Sequence, residues 1–134
     1  MTWLSKYQPQ LLSVLRIVAG LLFLEHGTQK LLGFPAMPEA MAHAIPPEMM
    51  PIIIAAAVIE LVGGALITLG LLTRLAAFIC SGEMAVAYWI GHYARGGFYP
   101  AVNGGDAAIL FCFVFLFIAA AGPGPWAVSR SDKL

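Results

Sequence analysis

Long apolar stretches alternate with short polar or proline- and glycine-rich segments along the whole chain. The apolar stretches cover about residues 11–33, 52–72, 75–93 and 106–121. A helix of about 20 residues is roughly 30 Å long, which matches the hydrocarbon core of a bilayer. The stretches lack the polar stripe at helical spacing that a soluble bundle would need. The pattern therefore predicts an all-α integral membrane protein, a four-helix bundle with one span in each stretch.

The connections between the predicted spans carry residues that stop helices. Five prolines interrupt residues 34–51, and the apolar positions between them repeat at helical spacing. This predicts a short amphipathic helix in the membrane interface between spans 1 and 2. A tight turn at Gly70–Arg74 predicts that spans 2 and 3 form an antiparallel hairpin. A glycine-rich loop at residues 94–105 leads to the fourth span, where Asn103 or Asp106 is placed to cap the helix.

Composition and charge support the same class of protein. The 134 residues are 60% hydrophobic and 10% charged, whereas a soluble domain has about 25% charged residues. Seven basic and seven acidic residues cancel, so the chain has no electrostatic footprint for nucleic acid. The length predicts one domain over residues 1–134. Cys80 and Cys112 fall in different predicted spans and are expected to be inert core thiols.

The distribution of basic residues predicts the orientation in the membrane. Four spans bring both termini to one side, and most basic residues flank that side: Lys6, Arg74, Arg130 and Lys133. Arg16 lies near the same side, where it is expected to extend its guanidinium back to the surface. The positive-inside rule then places both termini in the cytoplasm of a bacterial-type plasma (inner) membrane.

Ionisable residues within the apolar stretches are the main functional signal. Counted from the cytoplasmic helix ends, Glu83 lies about 12 Å deep, Glu60 about 18 Å, and Glu25, His26 and His92 about 21–26 Å. Ionisable groups at such depth usually face a bundle interior or a wet cavity. The sequence therefore predicts a polar pocket in the outer half of the bundle. The candidate catalytic residues are Glu25, His26, Glu60, Glu83 and His92, and the candidate substrate-binding residues are Lys30, Tyr88, Trp89, Arg95, Phe98, Asn103 and Asp106.

Each of these residues also has a purely structural interpretation. Glu60 and Glu83 can hold helices together as protonated or ion-paired groups. His26 can bond a carbonyl on a neighbouring helix, and Lys30 can extend to the outer headgroups. Metal sites are less well supported, because a haem between His26 and His92 or a carboxylate di-metal centre would normally use more ligands at other spacings. We predict no metal.

Several motifs together resemble the DoxX family. They are the run from Arg16 to Gly33, Glu60-L-V-G-G with the following L-G-L-L-T-R, Glu83-Met84 with His92, and Asn103-G-G-D. The resemblance covers about residues 12–122, and Asp106 stands where many members have a glutamate. It implies four membrane helices. It also implies a link to quinones, since some relatives form the membrane subunit of a thiosulfate:quinone oxidoreductase and others are associated with thiol and oxidative stress.

Two functional hypotheses follow. In the first, the chain is a quinone-reactive membrane component whose pocket residues relay protons. The chain has no flavin or dinucleotide fingerprint, so a soluble or membrane redox partner or a small donor would supply electrons. In the second, the chain is a non-catalytic membrane anchor, scaffold or lipophile-binding protein. A homo-oligomer is compatible with both, and a small transporter is a third, weaker hypothesis.

Overall fold

A computed structural model describes residues 2–39 and 45–129, and these residues form helices and connecting turns with no β-strand among them. We label the four long helices α1 to α4: Gln8–Leu32, Met50–Leu69, Thr73–Ala87 and Asp106–Ala121. Shorter helical segments flank them: Thr2–Ser5, the 3₁₀ turn Pro47–Met49, the π-helical turn Tyr88–Tyr93, Ala94–Gly96 and Pro100–Asn103. The predicted interfacial helix falls mainly on residues 40–44, which lie outside the described residues.

Local sequence explains where α1 and α2 begin and end. Each has a proline in its first turn, where the missing N–H costs no helical hydrogen bond. Gly33 ends α1 and Gly70 ends α2, both in the left-handed conformation that glycine adopts without strain. The predicted cap of α4 is wrong: Gly105 occupies the N-cap without a side-chain cap. The Asn103 side chain instead accepts a bond from the Gly105 N–H, at 2.8 Å.

The helices pack as two pairs. α1 packs along α2, α3 packs along α4, and the short turn between α2 and α3 joins the pairs. The first pair is very close, because a Cβ added to Gly64 would lie 2.6 Å from the backbone nitrogen of Leu24. Aromatic rings connect α1 to α4, with Phe23 edge-on to Phe115 at 4.8 Å between ring centroids. The buried core lies between the pairs and includes Ile67 and Cys80.

The outer surface of these helices is strongly apolar. Large hydrophobic side chains are more than half exposed on α2, α3 and α4, including Val62, Phe78, Leu110 and Phe113. In the described part of the chain, Gln8–Leu32 and Pro47–Leu69 are long and apolar enough to cross a membrane, and Asp106–Ala121 is a shorter apolar helix. Apolar surface of this extent fits contact with lipid. The four-span count and the cytoplasmic termini remain predictions.

Candidate functional site in the helix interior

An interhelical ion pair lies at the centre of the candidate site. Lys30, in the last turn of α1, approaches the Glu60 carboxylate of α2 with 2.6 Å between Nζ and Oε1. The Glu60 side chain is 1% exposed and that of Lys30 is 25% exposed. The antiparallel arrangement of α1 and α2 brings these two positions to the same height. The charge of the ammonium compensates for removing the carboxylate from solvent.

Glu83 of α3 adds a second carboxyl group to this site. It is close enough to Glu60 and Lys30 to experience the charge of both. One oxygen of each carboxyl group, Glu60 Oε2 and Glu83 Oε2, is buried without a hydrogen-bond partner among the described residues. A buried carboxyl oxygen without a partner is costly. Three helices therefore bring ionisable groups together, and two buried acceptor atoms lack a hydrogen-bond partner among the described residues.

Cys80 also borders this site, which the sequence did not indicate. Its side chain is fully buried on α3, and it packs against Gly63 of α2 where a Cβ would not fit. The charges of Glu60 and Glu83 both act on it. Only the i, i+3 spacing of Cys80 and Glu83 could have shown that the two share a helix face.

Glu25 and His26 lie elsewhere on the surface of the molecule. Both side chains are exposed on α1. The Nδ1–H group of His26 donates to the Leu22 carbonyl one turn earlier, at 2.8 Å, and its ring is edge-on to Phe111. The hydrogen bond fits the structural interpretation of His26, although the acceptor belongs to its own helix. The structure does not bring Glu25 or His26 into contact with Glu60.

A second polar cluster surrounds the π-helical turn. The Tyr88 hydroxyl donates to the Phe98 carbonyl at 2.6 Å, and the Asn103 amide donates to the Gly97 carbonyl at 2.7 Å. His92 Nδ1 donates to the Asn103 carbonyl at 3.1 Å. Four of the predicted residues thus form one network, but most of their partners are backbone carbonyls. The network holds the glycine-rich loop against the end of α3.

The remaining candidates lie around this loop on the outside. Trp89 is half exposed and stacks edge-on against Tyr88 and Tyr93. The exposed Arg95 donates to the carbonyl of Gly91 one turn earlier. Asp106 is exposed in the first turn of α4. The predicted site residues are therefore distributed over the buried ion-pair site, the loop network and the exposed surface.

Arg16 is the most fully engaged polar residue in the described structure, and the prediction that it extends to the surface is wrong. Its side chain is fully buried. The guanidinium donates to four backbone carbonyls, those of Ile67, Thr68, Pro123 and Trp126, at 2.5–2.7 Å. Backbone acceptors leave no pattern in a sequence, so this role could not be predicted from residue types.

The donor types and positions do not suggest a metal centre. Among residues 2–39 and 45–129, no three or more His, Cys, Asp and Glu side chains are grouped so that they could hold a metal ion. The ion-pair site instead offers one ammonium and two carboxyl groups in an apolar surrounding. Such a set can bind a polar carbonyl or hydroxyl group and exchange protons with it.

Comparison with known proteins agrees with this picture of a membrane helical protein. The DoxX family model matches residues 11–93. An uncharacterized protein of Haemophilus influenzae (strain ATCC 51907 / DSM 11121 / KW20 / Rd) is 44% identical over 129 residues, which cover 95% of this chain and 94% of that protein. No solved structure matches the chain significantly.

Proposed function

The chain belongs to the DoxX family of membrane proteins, and from this we propose that it is the membrane component of a quinone-linked oxidoreductase or redox-stress system. The observation that carries the proposal is the buried Lys30–Glu60 ion pair with Glu83 beside it. Ionisable groups in the interior of a membrane bundle are expensive and commonly mark a substrate or proton pathway. Apolar side chains at these positions would stabilise the bundle without the free-energy cost of removing charged groups from water.

The chemistry of these residues suits the reduction of a quinone. A quinone becomes a quinol by taking up two electrons and two protons, one proton on each carbonyl oxygen. A protonated Glu83 carboxyl group can donate one proton and the Lys30 ammonium the other, and the Glu60 carboxylate can accept a proton to recharge the site. The buried Glu60 and Glu83 oxygens that lack hydrogen-bond partners among the described residues support the proposal, because a quinol hydroxyl that donates to them would offset the cost of burying them. Electrons come from a partner protein or a small donor, since the chain has no flavin or dinucleotide motif.

The orientation proposed with this function is a four-span bundle with both termini in the cytoplasm of the inner membrane. The exposed apolar surfaces of α1 to α4 support it. Two basic residues, Arg16 and Arg74, lie at the same end of the bundle as the turn between α2 and α3. The ion-pair site is nearer the other end, since Lys30 lies in the last turn of α1. A quinone would then enter from the outer half of the bilayer.

Mass spectrometry of lipids extracted from the purified protein tests the proposal. We expect a quinone to co-purify in mild detergent and to fall at least tenfold in Glu60→Gln, because losing a hydrogen bond to a charged buried group costs about 1.5–3 kcal/mol. Glu83→Gln should show a similar loss. Glu48→Gln is the matched control, since that carboxylate is exposed in the turn before α2. Equal quinone content in all four proteins, or none in the wild type, would contradict the proposal.

A second candidate function is a non-catalytic scaffold or lipophile-binding protein. The same ion pair favours it, because Lys30 and Glu60 join α1 and α2 directly. In that case Lys30→Met and Glu60→Gln should each lower the melting temperature, and a double-mutant cycle should show strong coupling between them. The quinone-linked function is distinguished by Glu83→Gln, which should lose quinone with little change in melting temperature.

A further inference from the structure

The outward face of α1 carries a carboxyl group at the end of an apolar strip, one turn before the polar residues Thr28 and Gln29. The inward face is formed by Ser13, Arg16, Ala19, Gly20, Phe23 and Gly27. Glu25 is nine positions after Arg16, which places it about 180° around the helix at about 100° per residue. The exposed neighbours on its side are apolar: Leu11, Val14, Leu15, Val18, Leu21 and Leu22.

This position is unfavourable for a single copy of the chain in a bilayer. Glu25 lies seven residues before the end of α1 at Leu32, about 10 Å inside the helix end. Its carboxyl group makes no hydrogen bond or ion pair with the residues that the structure describes. Polar groups on a lipid-exposed helix face are costly, and they normally pair with a polar group of a neighbouring helix. A polar partner from outside this chain would offset this cost.

A suitable partner group lies next to Glu25 on the same helix. His26 is exposed, and its Nδ1–H donates to the Leu22 carbonyl. A carbonyl oxygen can only accept a hydrogen bond, so Nδ1 carries the proton. In the neutral ring Nε2 is then unprotonated and can accept a hydrogen bond. Nε2 can accept a bond from a protonated carboxyl group, or donate to a carboxylate when the ring is charged. Glu25 and His26 of one chain diverge by about 100° and do not bond each other.

The spacing on α1 fits a parallel pair of identical helices. Positions that alternate by four and three residues run along the outward face: Leu11, Leu15, Val18, Leu22, Glu25 and Gln29. Glu25 lies at one edge of this line, about 40° from its mean direction, and His26 lies about 60° to the other side at nearly the same height. When two such helices pack in parallel about a two-fold axis, each flank of one meets the opposite flank of the other. Glu25 of each copy then faces His26 of the second copy.

We propose that this chain forms a homodimer through the outward face of α1, closed by two Glu25–His26 pairs between the copies. Identical orientation in the membrane makes the two α1 helices parallel. The apolar positions of the line pack against themselves, as in a heptad seam. The interface uses none of the residues of the buried ion-pair site, so the dimer does not depend on the proposed quinone function.

Oxidative cross-linking in native membranes tests the dimer. Val18→Cys places a thiol on the contact line, and copper phenanthroline should produce a disulfide-linked band of twice the chain mass. Leu110→Cys is the matched control, because this side chain is 65% exposed on α4 and lies off the interface. The unmodified chain reports the background from Cys80, which is buried, and Cys112, which is half-buried.

Substitution of the polar pair tests its contribution. Glu25→Ala in the Val18→Cys chain should reduce the cross-linked band at least fivefold. Glu25→Gln should retain much of it, because an amide can still donate to Nε2. Native mass spectrometry of the unsubstituted protein should show two chains. A monomeric mass, a cross-link to a different protein, or equal cross-linking of Leu110→Cys and Val18→Cys would overturn the proposal.

Discussion

At the residue scale, Arg16 joins three parts of the chain that are distant in sequence. Two of its bonds go to the last carbonyls of α2, and two go to the segment that follows α4. The carbonyls at the end of a helix have no helical partners and carry partial negative charge, so a cation there is stabilising. A planar guanidinium with five donors can reach several carbonyls at once. Arg16 thus donates hydrogen bonds to four backbone carbonyls, and a carbonyl without a partner would be costly in an apolar interior.

Replacing each of two arginines with lysine should separate their roles. Arg16→Lys should lower the free energy of unfolding by roughly 2–4 kcal/mol, because one ammonium cannot reach four carbonyls and leaves some unpaired. Arg74→Lys should cost less than about 1 kcal/mol, since among the described residues Arg74 binds the Ala119 and Ala120 carbonyls through Nη1 alone. Thermal unfolding in detergent measures both. Similar melting temperatures for the two variants would contradict this account.

The positions of the site residues were predictable only where depth along a helix decides them. The depth count along the helices placed Glu60 and Glu83 within the apolar interior, and the structure brings them together with Lys30. The rotational position of each helix, which separates Glu25 from this site, depends on contacts between helices. No single-residue property encodes those contacts. Tyr88, His92 and Asn103 were chosen as polar candidates, but their bonds go mainly to backbone atoms that have no sequence signature.

At the element scale, the α1–α2 pair depends on the absence of side chains. A Cβ at Gly64 would meet the Leu24 backbone nitrogen at 2.6 Å, its Cα at 2.8 Å and the Gly20 carbonyl at 3.0 Å. Gly27 makes a similar approach to Leu61. Small residues let membrane helices come close enough for extensive van der Waals contact. The same closeness brings Lys30 within reach of Glu60.

Gly64→Ala should force α1 and α2 apart. The atoms in its way belong to the backbone and cannot move separately, so we expect a loss of about 1–3 kcal/mol in stability. Gly82→Ala is the control, because its added Cβ meets nothing within 4 Å and alanine favours the helix by about 0.5–1 kcal/mol. Thermal unfolding should shift in opposite directions for the two. A stabilising effect of Gly64→Ala would show that the helices are not closely packed.

The existence of the helices followed from the sequence more readily than their local details. Gly33 and Gly70 end α1 and α2, as expected of residues that favour the left-handed conformation. The small residues Gly64 and Thr68 are four positions apart on α2, a spacing that favours a close helix neighbour, and this neighbour is α1. The π-helical turn at Tyr88–Tyr93 was not predicted, because its apolar and aromatic residues suit an α-helix equally well.

At the scale of the whole molecule, the two ends of the bundle differ. Arg16, Arg74 and the segment following α4 lie at one end. The glycine-rich loop lies at the other, held by Tyr88, His92 and Asn103. α1 alone, with 25 residues, extends about 37 Å. An element of this length is long enough to connect the two ends across a bilayer.

Cysteine labelling should place the segments before α1 and before α2 on opposite sides of the membrane. Ser5→Cys and Glu48→Cys introduce thiols at exposed positions in those segments. A maleimide that cannot cross membranes should label Glu48→Cys in spheroplasts, and Ser5→Cys only after permeabilisation. The wild-type chain gives the background from its two native cysteines. Labelling of both positions in intact spheroplasts would contradict the proposed orientation.

The network of Arg16 also has a consequence for biogenesis. Its acceptors lie 51 to 110 positions further along the chain. Because a ribosome adds about 5–20 residues per second, Arg16 is made roughly 5–20 s before Trp126. The guanidinium has none of its final acceptors until α2 has been made, and it lacks two of the four until residues 123–126 follow. A nascent α1 would therefore stay near the surface at first, and a chain truncated before residue 123 would leave the buried guanidinium with only half of its acceptors.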